Sequence, residues 1–321
     1  ILSAIIDNLT ATIVLITILQ KVVKDRNTRL WFAGLIVICA NAGGAWSPIG
    51  DVTTTMLWIG KKVSTVKLIS YLLIPSIVCA IVPVIAATFL PAFKGNISNQ
   101  GSDDKDAPDR RGAVMLYLGL SAIIFVPVFK VVTNLPPYVG MMLSLAVVAT
   151  FAEILSKSKI NITSIDEIHD EDSSHSPVHK SLSKIELPSI LFFLGILMAV
   201  AALESLGMLF EFAGLLNDTI PNTDIVVMLL GIGSAVIDNV PLVAASMGMF
   251  SELIDDPLWH FIAFSAGTGG SMLIIGSAAG VVAMGMERID FFWYLKKITW
   301  LAAIGFLAGS FTFILLRNFF L

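Results

Sequence analysis

Apolar stretches of about 20 residues recur along the whole of this 321-residue sequence and are separated by short charged segments. An α-helix of that length crosses the hydrocarbon of a lipid bilayer. Hydrophobic residues make up 56% of the chain and charged residues 14%, a balance that excludes a soluble two-domain protein. The pattern predicts an all-α polytopic membrane protein with segments at about 1–20, 30–60, 66–93, 113–131, 135–155, 188–209, 224–253, 258–286 and 290–316.

Two polar stretches, residues 94–112 and 156–187, interrupt the apolar segments. Their composition is that of solvated loops. The formal charge of −4 is spread over such loops, and no long basic tract points to nucleic acid as a partner. Cys39 and Cys79 lie in apolar segments, which predicts two free thiols rather than a disulfide.

Polar residues and helix breakers occur inside two of the apolar segments. Residues 1–20 contain Asp7 and Asn8, and segment 30–60 contains the sequence NAGGAWSPIGD at 41–51. Irregular backbone at membrane depth persists only where protein buries it or where it lines a watery cavity, because each unpaired amide costs several kcal/mol in hydrocarbon. We therefore expect a functional site at these breaks.

Both features occur a second time in the chain. SAIIDN at 3–8 recurs as SAVIDN at 234–239, and NAGGAWSPIGD is matched by a second Gly-Gly followed by Ile-Gly. This matched order indicates an internal duplication. The predicted helix-breaking residues are Gly43, Gly44, Pro48 and Gly50 in the first copy and Gly269, Gly270 and Gly276 in the second. The first repeat spans 1–93, truncated at its start; after the loop at 94–112, the second repeat spans 113–321 and includes the loop at 156–187.

The number of segments between the two copies predicts their orientation. Five crossings separate residues 1–20 from 224–253, so two re-entrant hairpins there would enter from opposite faces. The flanking charges agree, since Lys21, Lys24, Arg26 and Arg29 follow the first hairpin and Glu252, Asp255 and Asp256 follow the second. Inverted-topology repeats with broken transmembrane helices are the architecture of secondary transporters.

Four motifs make the chain similar to a known family: SAIIDNLTATIV, NAGGAWSPIGDVTTTMLW, SAVIDNVPLVAASM and SAGTGGSMLIIGSAAG. They resemble the NhaD-type sodium/proton antiporters of the ion transporter superfamily, over the whole chain. The resemblance implies a secondary active transporter that exchanges Na⁺, or Li⁺, for H⁺, without a cofactor and without enzymatic activity. Its shared fold pairs two hairpins with two broken helices. The second copy has three predicted helices before its hairpin and the first has none, so we expect helices to be missing at the start.

The resemblance also bears on partners and location. The lipid bilayer is the expected surrounding, either a bacterial inner membrane or a plastid envelope. A homodimer is neither required nor excluded by the sequence. Nucleic acid is excluded as a partner.

Sodium is a hard cation that prefers oxygen ligands, which broken helices supply as freed carbonyls beside polar side chains. If the family fold holds, the candidate ion- and proton-binding residues are Asp7, Asn8, Thr10, Asn41, Ser47, Asp51, Thr53 and Thr54 in the first copy and Asp238, Asn239, Thr268, Ser271 and Ser277 in the second. Intramembrane carboxylates are costly and usually serve a pathway. An aspartate that holds either a proton or sodium would couple the two.

Simpler roles stay open for some of these residues. Asn8, Thr10 and Thr53 are also typical helix caps. Glu204 fits either a proton relay or the membrane interface. Ser277 replaces the carboxylate of Asp51 in the second copy, so the second half-site either holds another cation or closes the same cavity.

Three other functions compete with sodium/proton exchange. A sodium-coupled carrier of dicarboxylates or oxyanions shares the superfamily, but aspartates at both hairpin tips would repel an anionic substrate. An intramembrane aspartyl protease would use paired aspartates, yet the Gly-x-Gly-Asp and Tyr-Asp motifs of such enzymes are absent from the sequence. A purely structural subunit would not need duplicated polar breaks.

Overall fold

The computed structural model describes residues 1–93, 137–157 and 220–320 continuously, with isolated positions between 114 and 135 and between 191 and 215. Within these residues the chain forms helices and turns and no strand, which confirms the all-α class there. The helices are α1 (Leu2–Ile6), α2 (Asn8–Val22), α3 (Arg26–Gly44), α4 (Val52–Ile59), α5 (Thr65–Thr88), α6 (Pro137–Lys157), α7 (Thr223–Gly233), α8 (Asn239–Met249), α9 (Pro257–Gly269), α10 (Ala278–Glu287), α11 (Phe291–Lys297) and α12 (Thr299–Phe320).

The chain divides into two compact units. One comprises Ile1–Ile97 and Pro188–Leu321, and the other comprises Ser98–Leu187. In the second unit, the hydroxyl of Ser144 on α6 donates to the carbonyl of Ala122 at 3.1 Å. All the predicted site residues that the structure describes belong to the first unit.

Aspartates begin many helices of the first unit. An N-terminal turn leaves backbone N–H groups without intrahelical partners, and a short acceptor side chain at the preceding position satisfies them. Six helices are capped in this way, each by an aspartate that accepts from an N–H of the first turn: α2 by Asp7, α3 by Asp25, α4 by Asp51, α8 by Asp238, α9 by Asp256 and α11 by Asp290.

Both predicted helix breaks are present. The first separates α3 from α4 between Gly44 and Val52, and the second separates α9 from α10 between Gly269 and Ala278. A β-carbon at Gly44 would overlap the carbonyl oxygen of Gly50. The same relation holds between Gly270 and Gly276, so each break closes into a turn too tight for a side chain.

The two copies also repeat specific contacts. The hydroxyl of Ser3 donates to Ala40 O, and that of Ser234 donates to Ala266 O, which ties α1 to α3 and the turn after α7 to α9. Across the copies, α2 packs against α10 and α8 packs against α4. The aspartate-capped helix that follows each matched hexapeptide, α2 or α8, therefore lies beside the second half of the other copy's broken helix, α10 or α4.

Two helices of the described residues are long and apolar enough to cross a membrane, Thr65–Thr88 and Thr299–Phe319. They pack along one another. Gly305 and Gly309 of α12 lie against the backbone of α5, where β-carbons would crowd Cys79 O and Pro75 O. Close backbone approach at small residues spaced by four is typical of helix association in membranes.

Part of the predicted segmentation is wrong. Residues 290–316 were expected as one helix, but α11 ends at Lys297 and α12 begins at Thr299, with Ile298 between them. Ile298 is fully buried, and its side chain packs so closely on α3 that a β-carbon at Gly34 would overlap it. Cys39 and Cys79 are free thiols, as predicted.

Candidate functional site

Asp51 is the most buried carboxylate of the predicted set, with 2% of its surface exposed. The first break ends at this residue, in extended backbone, and its side chain caps α4. Oδ1 accepts from the N–H of Thr53 at 2.9 Å and from the Thr53 hydroxyl at 2.9 Å. If α3 continued as a regular helix, residue 51 would lie a full turn or more beyond Gly44. The tight turn at Gly44 and Gly50 instead places the carboxylate of Asp51 in the protein interior.

Amides from both copies converge on this carboxylate. Asn8, the first residue of α2, donates from Nδ2 to Asp51 Oδ2 at 2.7 Å. Asn239, the first residue of α8, approaches Asp51 Oδ1 with its Nδ2 at 3.4 Å. Because Asn8 and Asn239 occupy equivalent positions in the two matched hexapeptides, the copies meet at a single acid.

A second chain of hydrogen bonds links the two breaks. Asn8 Nδ2 also donates to Asn41 Oδ1 at 3.0 Å, and Asn41 Nδ2 donates to Ser277 Oγ at 2.9 Å. Ser277 caps α10 by accepting from the N–H of Gly280. The end of the second break is therefore connected to Asp51 through two buried asparagines.

Asp7 and Asp238 flank this cluster at the starts of α2 and α8. Asp7 accepts from the backbone N–H of Thr10 at 2.8 Å and from its hydroxyl at 3.0 Å, while Asp238 accepts from the N–H of Asn239 at 3.0 Å. Both carboxylates are near enough to Asp51 to interact with it electrostatically. The negative charges of Asp7 and Asp238 near Asp51 favour a cation over an anion there.

The donor set suits a hard cation. Carboxylate, amide and hydroxyl oxygens are the ligands preferred by alkali and alkaline-earth ions. In the described part of the chain there is no group of three or more His, Cys, Asp or Glu side chains placed to hold a metal ion. The site combines one buried carboxylate with neutral amides and hydroxyls instead.

Comparison with known proteins decides the family. The family model described as "Citrate transporter" matches residues 1–260. Sodium/proton antiporter 2 of Arabidopsis thaliana is 41% identical over 324 residues, which cover 99% of this chain and 74% of that relative. The Na(+)/H(+) antiporter NhaD of Vibrio parahaemolyticus is 34% identical over 317 residues, covering 92% of this chain and 74% of the relative. This chain belongs to the NhaD-type antiporter family.

Sodium/proton antiporter 1 of Arabidopsis thaliana, another relative of this NhaD-type chain, is 44% identical over 329 residues. That match covers 99% of this chain, which spans 54% of the plant protein's length. No solved structure gives a significant match. The family consists of transporters, so the chain is a membrane transport protein and not an enzyme, and the aspartyl protease alternative is wrong.

Several predicted site residues of this NhaD-type chain form hydrogen bonds with the backbone. The hydroxyls of Thr54, Thr268 and Ser271 donate to carbonyls, namely Ser47 O, Phe264 O and Thr268 O. The hydroxyl of Ser47 accepts from the N–H of Ile49. These contacts stabilise the breaks and their ends. The possible relay residue Glu204 lies outside the described residues.

Sequence reasoning missed three residues near the site. Ser3 and Ser234 join each matched hexapeptide to a broken helix, and their identical place in SAIIDN and SAVIDN was the available signal. Gly267, the counterpart of Asn41, lies beside Asp51 and Thr53, where a β-carbon would make ordinary contacts. Only the fold reveals that this glycine borders the carboxylate.

Proposed function

We propose that the protein exchanges Na⁺ for H⁺ across a membrane, with Asp51 binding the two ions in turn. The observation that carries this proposal is the buried Asp51 carboxylate, which Asn8 and Asn239 approach from opposite copies of the repeat. A carboxylate in such a place holds either a proton or a cation, because an unpaired buried charge is costly. Exclusive occupancy couples the two fluxes.

The asparagines provide a way to alternate between the two occupants. An asparagine side chain carries both an N–H₂ donor and an oxygen acceptor, and its rotation exchanges them. With the nitrogens of Asn8 and Asn239 toward Asp51, the carboxylate is satisfied by hydrogen bonds. Rotation of either amide brings its oxygen to a sodium ion beside Asp51, in the company of Thr53 and Ser277.

Asp7 and Asp238 contribute a negative field at the entrances of this site. Each caps a helix that begins beside Asp51, and neither is fully buried. Partial exposure lets them draw cations from water and pass them to the buried acid. Lithium, which has the same charge and similar preference for oxygen, is a second cation substrate of this proposal.

We further propose that the two copies are inverted repeats with re-entrant hairpins. The reciprocal packing of α2 on α10 and α8 on α4 is the pattern expected when two copies are related by a two-fold axis, and the odd number of predicted crossings between them favours an axis in the membrane plane. In that arrangement Lys24, after the first hairpin, and Glu252, after the second, lie on opposite sides of the membrane. Single cysteines placed there, with Cys39 and Cys79 replaced by alanine, should react with an impermeant thiol reagent from opposite faces of oriented vesicles.

The organisms of the relatives bear on the membrane in which the protein is located. Relatives occur in plants and in bacteria, which is compatible with either a plastid envelope or a bacterial inner membrane. For the assembly we propose a homodimer, because two-fold dimers are the commonest homo-oligomers. Cross-linking in native membranes tests it directly.

A sodium-coupled anion carrier is the second candidate, because the matching family model is described as a citrate transporter. Proteoliposomes that contain the protein, in the full length its gene encodes, distinguish the two. An outward or inward sodium gradient should drive proton movement in the opposite direction, with potassium at equal concentration as the control. Sodium-dependent uptake of labelled citrate without proton counter-movement would replace exchange with symport.

A further inference from the structure

The two breaks are closed by different side chains. In the first break, Thr54 and Thr55 of α4 reach back and donate their hydroxyls to Ser47 O and Pro48 O, each at 2.7 Å. The donors and the carbonyls thus belong to the same broken helix. Ser47 O also accepts from the N–H of Gly50 within the turn, so the hydroxyl of Thr54 adds a second donor there and the hydroxyl of Thr55 supplies one to Pro48 O.

The second break cannot be closed in the same manner. Aligning Asp51 with Ser277 places Gly280 and Val281 at the positions of Thr54 and Thr55, and neither carries a hydroxyl. A β-carbon at Gly280 would overlap the carbonyl oxygen of Ile274. A threonine is therefore sterically excluded at this position, so side chains of α10 do not close the second break as Thr54 and Thr55 close the first.

The two helices that follow contact the second break at a different place, two residues before the counterparts of Ser47 and Pro48. The phenol of Tyr294 on α11 donates to Ser271 O at 2.8 Å, and the hydroxyl of Thr299 at the start of α12 donates to Met272 O at 2.6 Å. Tyr294 is fully buried. The interruption at Ile298 lies between these two donors, and both reach the same dipeptide of the second break.

We infer that Tyr294 and Thr299 are positioning residues for cation binding at Asp51, acting through the second break and Ser277. This inference rests on the proposed function. The route is continuous: the hydroxyls hold residues 271–272, the break ends at Ser277, Ser277 accepts from Asn41, and Asn41 accepts from Asn8, which donates to Asp51. Neither Tyr294 nor Thr299 has a hydrogen bond to the carboxylate cluster in the described residues. Their effect is on geometry alone.

The same contacts assign different roles to the two half-sites. Ser271 O and Met272 O already accept from Tyr294 of α11 and Thr299 of α12, whereas Ser277 is the residue of the second break that is hydrogen-bonded to the network of Asp51, through Asn41. A single cation site centred on Asp51, completed by Ser277, is the outcome. The second half closes the same cavity and holds no second ion.

The test compares Thr299→Val, Thr299→Ser and Tyr294→Phe in the full-length protein. Thr299→Val and Tyr294→Phe should each raise the sodium concentration for half-maximal exchange by about fivefold, the effect of a hydrogen bond worth about 1 kcal/mol, with maximal rate little changed. Thr299→Ser keeps the donor and should restore affinity. Thr312→Val is the matched control, because Thr312 lies on the same helix and donates only to Ala308 O within it.

A double-mutant cycle with Ser277→Ala decides whether the effect travels through Ser277. In the Ser277→Ala background, Thr299→Val should add little to the loss of sodium affinity. If the two substitutions lowered the sodium affinity by independent factors that multiply in the double mutant, the proposed route would be overturned. A fall in maximal rate with unchanged sodium affinity, not rescued by Thr299→Ser, would show a purely structural role.

Sodium-dependent thermal stabilisation in detergent separates this inference from the proposed function. If the wild type is stabilised by sodium and the variants less so, the positioning role stands even without proton exchange. If the wild type exchanges ions and the variants match it in both assays, the positioning role fails alone. A wild type that sodium does not stabilise, compared with potassium, would overturn both.

Discussion

Asn8 Nδ2 lies 2.7 Å from Asp51 Oδ2, joining the first residue of α2 to the residue that caps α4. Both residues are almost completely buried. Asp51 therefore has two functions that are normally separate: it caps a half-helix, and it is the acid on which amides from both copies converge. Substitutions that preserve the cap and remove the charge distinguish these functions.

Asp51→Asn should abolish sodium/proton exchange while the protein still folds. Asparagine is as good a helix cap as aspartate, but an amide cannot trade a proton for a cation. Asp290→Asn is the control for the cap alone, because Asp290 caps α11 in an exposed position by accepting from the N–H of Trp293. Exchange is measured as sodium-driven proton movement in proteoliposomes. Near-normal exchange by Asp51→Asn would remove Asp51 from the mechanism.

The apparent affinity for sodium should rise with pH. Protons and sodium compete for one carboxylate, so fewer protons at higher pH leave the carboxylate open to sodium. At pH values where Asp51 without sodium is protonated, the half-saturating sodium concentration should therefore fall several-fold with each unit rise in pH. It should level off at pH values where Asp51 is ionised even without sodium. Initial rates over a sodium series at each pH measure this. A half-saturating concentration independent of pH would exclude a shared site.

Gly270→Ala should lower the yield of folded protein sharply. A β-carbon there would overlap Gly276 O, and the contact is with backbone that cannot move aside without opening the second break. Gly233→Ala is the control, since its β-carbon would meet only Leu242 Cδ1 at 3.8 Å. Monodisperse yield in size-exclusion chromatography reports the difference. Equal yields would mean that the break relaxes more readily than its packing indicates.

Asp255 should stabilise the protein in a pH-dependent manner through the connection between α8 and α9. Partial burial opposes ionisation, but the hydrogen bond from the Ser64 N–H at 2.6 Å, with His260 and Lys67 nearby, outweighs it and lowers the pKa of Asp255. A lowered pKa means that the stabilisation is present above the unfolded-state pKa, about 3.9, and is lost as pH falls through the folded value.

Asp255→Asn should therefore lower the melting temperature at pH 7 by about 2–4 °C, as expected for a loss of about 1 kcal/mol in a domain of this size. The difference from wild type should shrink as the pH is lowered toward 3. Thermal unfolding in detergent over this pH range measures both. A difference that stays constant with pH would show that the carboxylate's charge is not what stabilises the connection.

The amino-acid sequence by itself determined the helical class, the places where helices break and the residue types at the site. These are local properties: apolar length sets which stretches can lie in lipid, and Gly-Gly, Pro and Asp set where a helix must stop. The matched hexapeptides also placed Asn8 and Asn239 in equivalent positions. None of this required knowledge of distant contacts.

Tertiary structure alone decided which of the polar residues meet. Thirteen side chains were candidates by type. The packing of α2 on α10 and of α8 on α4 brings Asn8, Asn41, Asn239 and Ser277 around Asp51, whereas Thr268 and Ser271 donate to carbonyls of α9. The interruption at Ile298 was equally hidden, because the apolar pattern is continuous there and the close contact of Ile298 with Gly34 exists only in the fold. The hydrogen bonds of Tyr294 and Thr299 join residues more than 20 positions apart, and such pairings depend on the folded chain rather than on any local pattern.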